Sequence, residues 1–110
     1  MKKVAIPSEN GKVAAHFGRC PEYTIVKIDG NKIIEEKVVS NPGHKPGYLP
    51  RFLKEKGVEC VITGGMGRKA QNLFDKEGIK VVIGVKGSIE EALQQYLNNE
   101  LKSGENICEH

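Results

Sequence analysis

His16, Arg19 and Cys20 fall close together in the segment His16-Phe17-Gly18-Arg19-Cys20-Pro21. Imidazole and thiolate are ligands for soft or borderline metals such as iron, copper and zinc, and a guanidinium can fork onto a negatively charged edge. The chemistry on offer is the holding of a thiophilic, anionic guest. Three side chains do not enclose such a guest, and the same residues have a plainer use: Phe17 anchoring a turn, Gly18 supplying backbone freedom, Arg19 solvated and Cys20 a small buried side chain. On side-chain chemistry alone the plainer use leads.

A second segment with chemical potential is Gly64-Gly65-Met66-Gly67, set between an apolar β-branched run and a helix-like stretch. Backbone N–H groups at a strand-to-helix turn, together with the helix dipole, attract an anion. Gly65-x-Gly67-x-x-Ala70 also matches a relaxed dinucleotide fingerprint, but it does not follow the first strand and no ribose-binding acid closes the next one, so a nicotinamide cofactor is discounted. Close strand-to-helix packing explains the glycines nearly as well as anion binding does. The thioether of Met66 suits a sulfidic or apolar ligand, although core filling is the commoner use.

The remaining candidates are weaker. His44 lies in Asn41-Pro42-Gly43-His44-Lys45-Pro46-Gly47, where prolines and glycines bar regular structure and leave the imidazole exposed or facing a cleft. Cys60 sits in the apolar run Val58-Glu59-Cys60-Val61-Ile62 and reads as a core thiol. Cys108 is near the end of an aperiodic tail. No nucleophile-elbow serine and no HExxH motif occurs, and Glu35-Glu36 and Glu90-Glu91 read as solvent faces. A Cys20–His16 nucleophile and base pair has no evident orienting third group. An enzyme is not expected.

The chain of 110 residues suits one domain, with 38% hydrophobic and 28% charged residues. A formal charge of +3, no Trp and few other aromatics argue against a nucleic-acid partner, yet tolerate a small anion. No apolar run approaches the roughly 20 residues of a membrane span. Three cysteines without a CxxC pair disfavour a disulfide framework and a preformed structural zinc site, so the expectation is a cytoplasmic protein with reduced thiols.

The elements that must position these residues follow from periodicity. Val4-Ala5-Ile6-Pro7 predicts a first strand, and Ser8 to Lys12 a polar turn. Tyr23–Ile28 and Lys32–Val39, joined through Asp29-Gly30-Asn31, predict an antiparallel hairpin. Helix and strand then alternate: a helix with Leu49, Phe52 and Leu53 ended by Gly57, a strand over 58–63, a helix with Ala70, Leu73 and Phe74 ended by Gly78, and a strand over 79–85. Last comes a helix opened by a Ser88-x-x-Glu91 capping box and burying Ile89, Ala92, Leu93, Tyr96 and Leu97. The fold class is α/β, with a mixed sheet flanked by helices and its ligand edge at the carboxyl ends of the parallel strands. Residues 1–101 form the expected domain, and 102–110 a flexible tail.

Taken together, Val4-Ala5-Ile6-Pro7, His16 to Tyr23, Asn41-Pro42-Gly43-His44, Ile62-Thr63-Gly64-Gly65-Met66-Gly67 with Ala70, and Gly78-Ile79-Lys80-Val81 resemble the dinitrogenase iron-molybdenum cofactor binding family. That family includes the nitrogenase cofactor carriers, part of the cofactor-assembly radical enzyme, and small stand-alone proteins. The resemblance implies a ribonuclease H-like fold with a mixed five-stranded sheet. It implies a non-enzymatic carrier for an anionic metal-sulfur cluster, iron-molybdenum cofactor-like or a related iron, molybdenum or copper sulfide, exchanged with donor or acceptor proteins. The alternative is a regulatory or interaction module of the same fold without bound metal. Carried onto this chain, His16, Cys20 and His44 are the candidate metal ligands. His16, Phe17, Gly18 and Arg19 form the ligand loop, with Arg19 as charge partner, and Gly64, Gly65, Met66 and Gly67 the anion cradle.

Overall fold

The structure is a computed structural model describing residues 2–15, 17, 20–41 and 48–98. Strand β1 (Lys2–Glu9) turns through Asn10 and Gly11 into the two-residue strand β2 (Lys12–Val13). Both turn residues have positive φ, 53° and 79°, the backbone that a two-residue hairpin with native twist requires. The polar run from Ser8 to Lys12 is therefore not all turn, as its composition suggests, because β1 runs on to Glu9. Ser8 is buried there because its hydroxyl pairs with Thr24 Oγ1 at 2.9 Å, which satisfies a polar group inside the sheet.

Strands β3 (Glu22–Asp29) and β4 (Lys32–Ser40) form the expected antiparallel hairpin. Helix α1 (Tyr48–Glu55), β5 (Cys60–Ile62), α2 (Arg68–Lys76), β6 (Lys80–Val82) and α3 (Ile89–Leu97) follow. The sheet order is β4-β3-β1-β5-β6, with β2 beside β1 as a sixth, short strand. β1, β5 and β6 are parallel and β3 is antiparallel to its neighbours, which gives the ribonuclease H-like mixed sheet.

Period-two alternation divides the core between the two faces. Val4, Ile6, Val26, Ile28 and Ile62 pack against Ile89, Ala92 and Leu93 of α3. Ala5, Ile25 and Val61 pack against Leu53 of α1 and Phe74 of α2. The helix ends are set by glycine. After α1, Gly57 N donates to Lys54 O and Val58 N to Leu53 O; after α2, Gly78 N donates to Asp75 O and Ile79 N to Phe74 O. Both are Schellman closures with the glycine at positive φ and the next residue in the same apolar cluster as its partner. The capping box of α3 is present: Glu91 N donates to Ser88 Oγ at 3.0 Å, and Ser88 N to Glu91 Oε1 at 3.3 Å. The start of α3 is stitched to the first hairpin by Ile89 N to Gly11 O and Val13 N to Gly87 O.

Strand β4 is the outer edge and is exposed along nearly its whole length. Lys32, Glu35, Glu36 and Lys37 punctuate its apolar residues, a charge pattern that discourages edge-to-edge pairing. No helix among the described residues is long and apolar enough to cross a membrane. The proline- and glycine-rich loop with His44 and the expected tail with Cys108 lie outside the described residues.

Candidate functional site

Parallel pairing makes β1 and β5 end at the same edge of the sheet, and the chain doubles back there after the first hairpin, with Ala14 N donating to Pro7 O at 2.8 Å. The loop beyond Ala14 therefore meets the loop after β5. Gly64 N donates to Ala14 O at 3.3 Å, and Phe17 N to Gly65 O at 2.8 Å. A Cβ on Gly64 would stand 3.0 Å from Ala14 O and 3.1 Å from Ala15 Cα, so glycine is what lets these two backbones touch.

Hydrogen bonding makes the second loop a donor surface. Its carbonyls are occupied: Thr63 O by Val85 N, Gly64 O by Gly84 N, Gly65 O by Phe17 N and Thr63 Oγ1, and Met66 O by Gln71 Nε2 at 2.9 Å. The amide of Gly64 is spent on Ala14, whereas those of Gly65, Met66 and Gly67 have no acceptor among the described residues. These amides run into the N-terminus of α2, where Gly67 caps without a side-chain bond and the first turn holds no acid. Arg68 and Lys69, both exposed, instead place cations against the positive end of the helix dipole. An anion at this corner would offset that repulsion and engage the amides at once.

Phe17 is the anchor the first loop needs. Its ring meets Phe74 of α2 edge-on at 5.2 Å and 84°, and Tyr23 of β3 at 5.4 Å and 50°. Phe17 is thereby tied to both the helix that opens at Gly67 and the sheet. Met66 is half-buried against the same apolar cluster, so its thioether serves packing at least in part. Cys20 is only 4% exposed and packs with Ala14, Tyr23 and Leu49, while its carbonyl accepts from Asn41 Nδ2 at 2.8 Å. Cys60 is likewise in the core, as its apolar run suggests.

His16, Gly18, Arg19 and His44 lie outside the described residues. Among the described residues, no group of three His, Cys, Asp or Glu side chains is arranged to hold a metal ion. The structure thus brings the Phe17 loop and the Gly64–Gly67 loop together and turns Cys20 inward. Sequence reading missed Thr63 and Gln71, whose side chains take up loop carbonyls, and Arg68 and Lys69 beside the amides. The absence of any acid in the first turn of α2 was the available signal for the last two; Thr63 and Gln71 gave none, because their partners are backbone atoms.

A family model described as dinitrogenase iron-molybdenum cofactor matches residues 1–99 of this chain. An uncharacterised protein of Methanocaldococcus jannaschii is 30% identical over 110 residues, covering 96% of this chain and 93% of the relative. The crystal structure of PH0822 is 36% identical, with a TM-score of 0.86, covering 98% of this chain and 99% of that one. The apo form of the orange protein from Desulfovibrio gigas superposes with a TM-score of 0.81 at 24% identity, covering 97% and 96% of the two chains, a likeness of fold.

Proposed function

The chain belongs to the dinitrogenase iron-molybdenum cofactor family, and from that premise we propose that it is a non-enzymatic carrier whose cargo is an anionic metal-sulfur cluster. The single observation that carries this reading is the donor surface at the sheet edge, where the amides of Gly65, Met66 and Gly67 have no acceptor among the described residues while every neighbouring loop carbonyl from Thr63 to Met66 is engaged. Cluster sulfides are acceptors with spread negative charge, and aligned amides at a helix N-terminus match them without closing around them. An open surface suits a protein that must give its cargo up.

In this reading His16 and Arg19 act from the loop that Phe17 anchors, the imidazole as a labile ligand and the guanidinium as charge partner. His44 would add a second imidazole. Cys20 contributes packing in the described conformation, and its ligand role requires the thiol to leave the Tyr23–Leu49 cluster. The absence of a nucleophile, base and orienter constellation in the sequence supports holding rather than turnover.

Anaerobic reconstitution tests this reading. The full chain is incubated with iron and sulfide, or with tetrathiomolybdate, then desalted and analysed by absorption and metal content. Retained, coloured, stoichiometric metal sulfide is the expected result. A colourless protein under every loading condition overturns it and leaves the interaction-module alternative.

A further inference from the structure

At the opposite end of β1 from the loop edge, an open groove of about 80 Å³ lies between the sheet and the C-terminal end of α1. Its floor is Ile25 and Val39, and its walls carry Lys3, Lys27, Lys37 and Lys56 against one carboxylate, Glu35. Four cations facing one acid give an excess equal to the formal charge of the entire chain, +3. A modest overall charge is therefore matched by one local concentration.

This concentration of like charge opposes stability. Lys3 of β1 and Lys27 of β3 are directly opposite each other in the ladder, both half-buried, and like charges so placed repel. Glu35 of β4 stands across from Lys27 on its other side and offsets one charge. Two of the ammonium groups are also held in place. Lys3 Nζ donates to Lys56 O at 3.0 Å, at the end of α1 where helix carbonyls are electron-rich, and Lys56 Nζ lies 5.3 Å from the Phe52 ring centroid. A ligand thus meets a partly fixed set of charges and spends less on ordering them.

We propose that this groove is a second anion site, separate from the loop edge, which binds a polyphosphate chain, either free or as the tail of a nucleotide. Among the described residues its cations are all lysines, which act on phosphate as point charges and set no fixed orientation on a flexible chain. No thiol or imidazole of the described residues lines it, which sets it apart from a site for metal sulfide. Several phosphates in a short chain bring the charge density that four lysines along one open groove neutralise, and a chain can lie along the groove without being enclosed by it.

The test is titration of the full chain with inorganic tripolyphosphate and, in parallel, magnesium-free ATP, followed by calorimetry and amide chemical shifts. Saturable binding is expected, with shifts on β1, β3 and β4 around Lys3, Lys27 and Lys37, and affinity falling as salt rises. Equal affinities identify the phosphate chain alone as the ligand, and tighter ATP identifies a nucleotide as its source. Lys37→Gln/Lys56→Gln, both at exposed positions, should weaken binding about tenfold or more. Lys76→Gln/Lys80→Gln, an equal charge change at exposed positions elsewhere, should alter it less than about twofold. Absence of saturable binding, shifts confined to residues 64–70, or equal losses in the two double variants would overturn the proposal. A glutamate-rich peptide that binds the groove where tripolyphosphate does not would overturn it as well.

Discussion

Phe17 N donates to Gly65 O at 2.8 Å, joining the two loops that the sequence marks as chemically distinctive. The bond has a directional consequence. It consumes a carbonyl of the glycine loop, whose next amides have no acceptor among the described residues, so docking of the first loop shifts the second toward a donor surface. The ring of the same residue, seated on Phe74 and Tyr23, holds that arrangement in place.

Replacing Gly64 with alanine should separate the loops. The new methyl would meet the backbone of Ala14 and Ala15 at 3.0–3.1 Å, and backbone cannot yield as a side-chain end can. A stability loss of about 1–3 kcal/mol is expected from overpacking, with a parallel loss of cluster retention. Urea unfolding and metal analysis of the same preparation measure both, and a variant as stable as the parent would show that the contact relaxes freely.

Gly67→Asp should move stability and binding in opposite directions. The position is open, with nothing within 4 Å of where a Cβ would stand, and its φ of −65° accepts any residue. An aspartate there caps α2 and faces its dipole favourably, raising stability by about 0.5 kcal/mol. The same carboxylate occupies the amides and repels an anion, so thiometallate retention should fall about tenfold or more. Thermal unfolding and loading assays read the two signs; undiminished loading would place the cargo elsewhere.

Phe17→Ala removes an aromatic anchor from a half-buried position between Phe74 and Tyr23. The expected cost is about 2 kcal/mol, below the usual range for aromatic truncation because the ring is not fully enclosed. Phe17→Leu should recover much of the stability. If both variants fold and docking of the first loop orders the second, hydrogen exchange at the Gly64 and Gly84 amides, which donate to Ala14 O and Gly64 O, will rise in the alanine variant and return toward parent rates in the leucine variant.

Cys20→Ala should separate packing from ligation. The side chain is 4% exposed among Ala14, Tyr23 and Leu49, so truncation is expected to cost about 1 kcal/mol as a small cavity. Cluster retention should stay within about twofold of the parent once measured well below the melting temperature, since a thiol in the core does not reach cargo at the edge. Loss of loading in a folded Cys20→Ala protein would show that the thiol emerges to bind.

The sequence by itself determined the local framework. Gly57 and Gly78 specify helix closures because left-handed backbone is needed there, Ser88 and Glu91 specify the start of α3 by reciprocal hydrogen bonds, and alternation in Val4-Ala5-Ile6 divides the core between two sheet faces. Each of these depends on neighbours a few residues away, which is why composition and spacing reveal them. The motifs of the two loops were legible for the same reason, as short strings between strong elements. Only the tertiary structure decided what those motifs face. That Gly64 touches Ala14, that Cys20 points into a core, and that Ser8 continues a strand follow from sheet order and register. Lys3 and Lys56, distant in sequence, likewise meet Lys27 and Lys37 only because β1 lies beside β3, and α1 packs across them. Such convergence is fixed by long-range burial of the two faces, a constraint shared over the whole chain and written at no single position.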